Sequence, residues 1–211
     1  MAGRTESQSA GRDVGPAFTT PSSYTLLPTI ILILSIACGG STTSPTAPTQ
    51  SSNPSLHGEV TDPSGDALVD ARLATSPDLV RATADVSAGS ITFTARVAPG
   101  TFAQATTRFT ILLNTDQNVA TGTGTLGIEY FVQMGGILAN RADIVRSDGD
   151  VVVGSVPVSF VANGIDAIVP LALIGNDDGR LNFKVFASAG PVWPDVLDRM
   201  PDEGLPPGRV Q

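Results

Sequence analysis

The chain holds one cysteine, one histidine, one lysine and one tryptophan in 211 residues. Each scarcity removes a class of chemistry. A single Cys forms no intrachain disulfide, and one Cys with one His is too few for a His/Cys zinc site. A Ser-His-Asp or Cys-His catalytic set has only His57 to draw on, and His57 reads as a surface residue at the edge of the folded part. One lysine, Lys184, and a formal net charge of −8 leave no polybasic surface, so nucleic-acid backbone binding is excluded as a function class. Aromatic residues amount to 5%. The longest apolar run falls well short of the roughly 20 residues that cross a bilayer as a helix.

What remains plentiful is Val, Thr and Ile, with 22 Gly and 16 Pro. That composition predicts an all-β chain with many turns. Three regions differ in character. Residues 1–37 end in the apolar stretch 26–37, "LLPTIILILSIA", which has the length of the h-region of a secretory signal, expected to be helical. Residues 38–56 comprise Cys38 and "GGSTTSPTAPTQSSNPS". That tract has no large apolar side chain to offset the entropy of ordering, and so reads as a tether. Residues 57–211 carry the strand patterns and end in an irregular tail, "PDEGLPPGRVQ".

The residues Leu34-Ser35-Ile36-Ala37-Cys38 resemble a bacterial lipobox. The resemblance implies cleavage before Cys38, a diacylglycerol on its sulfur and an acylated amino group, palmitate among the fatty acids. Two chains give stable membrane attachment where one does not, at about 0.8 kcal/mol per buried CH₂. The region before residue 26 is longer and less basic than such signals usually have, with Arg4 and Arg12 offset by Glu6 and Asp13. An uncleaved signal anchor is the other reading; both expect the rest of the chain in the cell envelope, outside the cytoplasm. Gly39 in place of Asp after the Cys leans toward the outer membrane where there is one. Residues 1–37 hold two acids and two bases, so their loss leaves the charge at −8.

Within 57–211, period-two alternation recurs. "SITFTARV" (90–97) sets Ile91, Phe93, Ala95 and Val97 against Thr92, Thr94 and Arg96; similar patterns run over 108–114, 128–134, 156–162 and 181–187. Each predicts a strand with one buried face. Turn residues separate them, notably Ser87-Ala88-Gly89 and Asn163-Gly164, the latter predicting a type I′ hairpin. "PLALIGNDDG" predicts one short helical turn. Regular spacing without βαβ alternation predicts an antiparallel β-sandwich.

Three stretches together, "DPSGDA…PDLVRATADV", "LLNTDQNVATG…GIEYFV" and "IVPLALIGNDDGRLNFKVFAS", resemble the DOMON/CBM9-like superfamily of β-sandwiches. That resemblance implies sugar-binding or haem-binding relatives on secreted proteins. Two positions depart from it: Asn114 stands where the pattern has Asp, and Glu129 where it has Asp before Tyr. An axial Met/His pair for haem would need Met134 and His57, which the strand assignments separate. Aromatic stacking on a sugar ring would fall to Tyr130 and Trp193.

The loop "NTDQNVATG" gathers Asn114, Asp116 and Asn118, and Glu129 follows on the next strand. Calcium takes six to eight oxygen ligands, and these four residues are the candidate set. The same side chains also suit the capping of the loop's own backbone, or a polar contact to a ligand. Three function classes stay open. The first is a lipid-anchored, non-catalytic module binding carbohydrate or another small ligand. The second is a structural or partner-binding envelope protein without a small-molecule site. The third is a hydrolase, for which no carboxylate pair stands out.

Overall fold

A computed structural model describes residues 55–175, 177–190 and 196–211. The lipobox with Cys38, the apolar stretch 26–37, the linker as far as residue 54, and Trp193 lie outside the described residues. The described chain is all-β, as expected, with two 3₁₀ turns as its helical content.

Eleven strands appear among the described residues: β1 (Leu56–Thr61), β2 (Leu79–Ser87), β3 (Ser90–Val97), β4 (Thr107–Asn114), β5 (Tyr130–Gly135), β6 (Arg141–Arg146), β7 (Val151–Val161), β8 (Gly164–Pro170), β9 (Asn182–Ala189), β10 (Val196–Met200) and β11 (Gly208–Arg209). All pairings are antiparallel, in the order β1-β2-β3-β8-β7-β6-β5-β4-β9-β10, with β11 on β9. The order folds into a sandwich because β7 serves both halves. Its first part, Val151 to Pro157, pairs with β6; its last part, Val158 to Val161, pairs with β8. Pro157, which has no N–H to give to a ladder, sits at the changeover.

The alternation in sequence becomes the core. On β3 the burial follows the predicted phase without exception, with Ile91, Phe93, Ala95 and Val97 inside. They pack with Phe109, Ile111 and Leu113 of β4 and Phe183, Val185 and Ala187 of β9. β4 departs from the one-faced expectation. Its outward Arg108 and Leu112 are also withdrawn from water, at 6% and 8% exposure. β4 lies between β5 and β9 in the middle of the second sheet, whose outer face forms a groove.

Three local expectations change. The hairpin between β7 and β8 is not a type I′ Asn-Gly turn. Val161 pairs with Gly164, so the turn residues are Ala162 and Asn163, and neither has positive φ. Gly164 is needed for another reason: a Cβ there would lie 2.0 Å from the Ala95 carbonyl oxygen. The I′ geometry is found instead between β2 and β3, where Ala88 and Gly89 have φ of 49° and 76°. The C-terminal tail is irregular only in part. Gly208 and Arg209 pair with Phe183 and Asn182, and Val210 is fully buried. The short helical turn is present as a 3₁₀ turn at Leu171–Ile174, ended by Gly175 in the left-handed region.

Gly164→Ala forces backbone apart at the β3–β8 seam and is expected to cost about 3 kcal/mol. Urea denaturation of the two proteins measures it, and a loss below the uncertainty of the fit contradicts the close approach described.

Candidate functional site

The loop between β4 and β5 brings part of the predicted oxygen set together. Asn114, the last residue of β4, is buried and donates from Nδ2 to the Leu126 carbonyl at 2.7 Å. Asp116 Oδ1 accepts from the Asn118 amide at 2.9 Å, and Asn118 Oδ1 accepts from the Ala120 amide at 3.0 Å. These are Asx turns, in which a short polar side chain replaces a backbone partner. Glu129 Oε2 accepts from the Thr115 amide at 2.8 Å. Asp116 and Glu129 meet at the Thr121 hydroxyl, which lies 2.9 Å from Asp116 Oδ2 and 2.9 Å from Glu129 Oε1. Asn114 Nδ2 and Asn118 Oδ1 bond to loop backbone, and Asn114 Oδ1 is buried without a hydrogen-bond partner. Gly127 is required here, since a Cβ would lie 2.6 Å from the Asn118 carbonyl oxygen. The loop is tied to the C-terminal segment as well, with Gln117 accepting from Arg209 at 2.9 Å and donating to the Val210 carbonyl at 3.3 Å.

Tyr130 shares the core-facing phase of β5 with Val132 and Met134 and is half-buried against the core. It borders a pocket at the end of the second sheet, with Glu129, Arg146, Ile174 and Asp177. Burial, reinforced by the carboxylates of Asp178, Asp116 and Glu129 against the opposing Gly179 N–H, pushes Asp177 up to about 6.

The outer face of the second sheet carries the aromatics that the sequence did not single out. Phe131 of β5 and Phe186 of β9 line a groove of about 530 Å³ together with Arg108, Thr110, Gln133 and Ser188. The pairing register explains the set. Thr110 is opposite both Gln133 and Phe186, and Arg108 is opposite Ser188, so alternate residues of three adjacent strands share one face. The Arg199 guanidinium stands over the Phe186 ring, 5.6 Å from its centroid. Both Phe131 and Phe186 lie on the phase opposite the core in the alternating segments 128–134 and 181–187; the groove needed the strand order.

His57 stands on exposed β1. Its Nδ1 lies 2.6 Å from Asp85 and its Nε2 3.7 Å from Glu59. Both ring nitrogens therefore face carboxylates, and no hydroxyl or thiol among the described residues bonds to either.

A third feature is assembled from residues far apart in the sequence. Asp62 and Asp66 in the turn after β1, Asp78 just before β2, Asp198 in β10 and Asp202 beyond it converge. Carboxylate oxygens of Asp62, Asp66 and Asp202 lie within 4.8 Å of one another, and so do those of Asp66, Asp78 and Asp198. Burial first, then the charges of Asp202, Asp66, Asp198 and Asp78, pushes Asp62 up to about 7. Burial also pushes Asp198 up to about 6, against the N–H groups of Leu79 and Arg199 that bond it. Asp62 and Asp66 are close neighbours in one turn; their meeting with Asp198 and Asp202, more than a hundred positions later, has no local signal.

No known protein family matches the chain, and no curated protein matches it in sequence.

The raised aspartates set a pH dependence. Unfolded Asp titrates near 3.9, whereas Asp62, Asp177 and Asp198 titrate at about 7, 6 and 6 in the folded chain. Between those values the folded state holds protons that the unfolded state has released. Stability is therefore greater at low pH and is lost as pH rises through about 6 to 7. Asp70, held at about 2 by its bonds to Arg72, acts in the opposite sense, but only in strong acid. The melting temperature in EDTA is expected to fall between about pH 5 and pH 8, and a rise over that interval contradicts the burial described.

Proposed function

We propose that this chain is a lipid-anchored, non-catalytic module of the bacterial cell envelope that takes a carbohydrate or similar small polar ligand in the groove of its second sheet. The observation that carries the ligand reading is the pairing of two aromatic rings, Phe131 and Phe186, with Arg108, Thr110, Gln133 and Ser188 on one face. Sugars present apolar C–H faces and hydroxyl edges. A site that holds them needs aromatic surface for the first and a few placed donors and acceptors for the second. What supports the anchor is the Leu34–Cys38 motif after an apolar stretch and before a Ser/Thr/Pro tract. Such a tether sets the module off a membrane surface while leaving the groove accessible.

A partner-binding surface without a small-molecule site is the second reading. It is favoured by Val151 and Val152, exposed at 45% and 56%, the latter on the groove's edge.

A panel of mono- and oligosaccharides screened by thermal shift on the full chain tests the ligand reading. Saturation at about 100 times Kd is expected to add about 2.7 kcal/mol of stability. Phe186→Ala should remove the shift produced by the bound sugar. A flat panel removes the sugar reading in favour of the partner-binding one. For the anchor, cells given labelled palmitate are expected to label the wild type and not Cys38→Ser, which should leave the membrane fraction. Label that survives the substitution removes the anchor.

A further inference from the structure

We propose that the five-aspartate pocket is a calcium site, in which Asp66, Asp78 and Asp198 are direct ligands and Asp62 and Asp202 complete the acidic wall. This site is separate from the β4–β5 loop and from the groove. The spacing fits. Calcium–oxygen distances of about 2.3–2.6 Å place ligand oxygens on a sphere less than about 5.2 Å across, and the carboxylate oxygens of each triad lie within 4.8 Å of one another. An all-oxygen set without His or Cys selects a hard cation, and a site built of carboxylates favours calcium over magnesium, which keeps most of its waters.

An independent observation points to an occupant. Asp78 is 7% exposed, and its Oδ1 is buried with no hydrogen-bond partner. Asp62 Oδ2 is also buried and without a partner. A buried carboxylate oxygen without a donor is strongly disfavoured, and buried charges are paired or bind metals. No ion pair joins any of the five to a lysine or arginine among the described residues. The bond that Lys184 makes nearby goes to the Asp202 backbone carbonyl, at 3.4 Å.

The ligands are also held in place. Asp78 Oδ2 accepts from the Gly65 amide at 2.8 Å, Asp198 Oδ2 accepts from the Leu79 amide, and Asp198 Oδ1 accepts from the Arg199 amide at 2.7 Å. Such outer-shell bonds orient ligands before the metal arrives. A bound ion would join the turn after β1, the start of β2 and β10, and so close one end of the sandwich between its two sheets.

Calorimetric titration of calcium chloride into the EDTA-stripped full chain, with a parallel melting series, tests the site. Binding is expected at Kd of about 1 mM or tighter, the range of extracellular modules and stronger sites. At about 100 times Kd the melting temperature is expected to rise by about 5–10 °C. Asp66→Asn, a change at an exposed residue, should weaken binding at least about tenfold and leave the calcium-free melting temperature unlowered. Asp116→Asn should bind like the wild type. Where Asp66→Asn fails to fold, Asp202→Asn supplies the same comparison. Absence of both heat and shift up to about 10 mM calcium, an order above the weakest extracellular sites, overturns the proposal. So does binding that is lost in Asp116→Asn and kept in Asp66→Asn. Sugar binding in the groove is read separately, so either reading can fail alone.

Discussion

The two sheets exist as a sandwich because one strand changes partners partway along. β7 gives its first half to β6 and its second to β8, and every apolar face on either side is buried only because of that bend. An antiparallel sheet can leave one face to water, but the faces holding Phe93 and Phe109 are buried in one shared core. At about 25 cal/mol per Å² of apolar surface, burial of those faces dominates the stability of a chain with no disulfide to add to it. The groove depends on the same arrangement. Only when β5, β4 and β9 lie side by side do Phe131, Thr110 and Phe186 form one surface.

The parts of this fold that were legible in the sequence are those whose cause is local. β3 alternates perfectly because one face meets the core and the other meets solvent. The 3₁₀ turn at Leu171–Ile174 and the reversal at Ala88-Gly89 likewise follow from their own residues. β6 was not legible: Ala142, Asp143, Ile144 and Val145 are all buried, so period two is erased by packing on both sides. β11 was hidden because two residues are too few to show any period. Gly164 looked like a turn glycine and proved to be a spacer, a distinction set by the Ala95 carbonyl on another strand.

The same division separates the sites. The β4–β5 loop could be read as a cluster of oxygen ligands, since Asn114, Asp116 and Asn118 lie within five residues, yet their bonds go to the loop's own amides, to the Leu126 carbonyl and to the Thr121 hydroxyl. The aspartate pocket is assembled from residues 62 to 202, and spacing along the chain carries no trace of it. Its members looked like ordinary turn residues because locally that is what Asp62 and Asp66 are. Charge placed in a turn is inexpensive; charge placed where three turns meet is not, and that difference arises only in three dimensions.

The C-terminal segment lies against the first strand. The amide of Gln211 donates to the His57 carbonyl at 3.3 Å, the His57 amide donates back at 3.4 Å, and Gly58 leaves room for the Arg209 backbone. The same segment carries Val210, which is fully buried, and the short strand β11 on β9. The outer edge of the first strand is therefore guarded by residues distant in sequence, and loosening of that segment would free the edge and the Val210 side chain together.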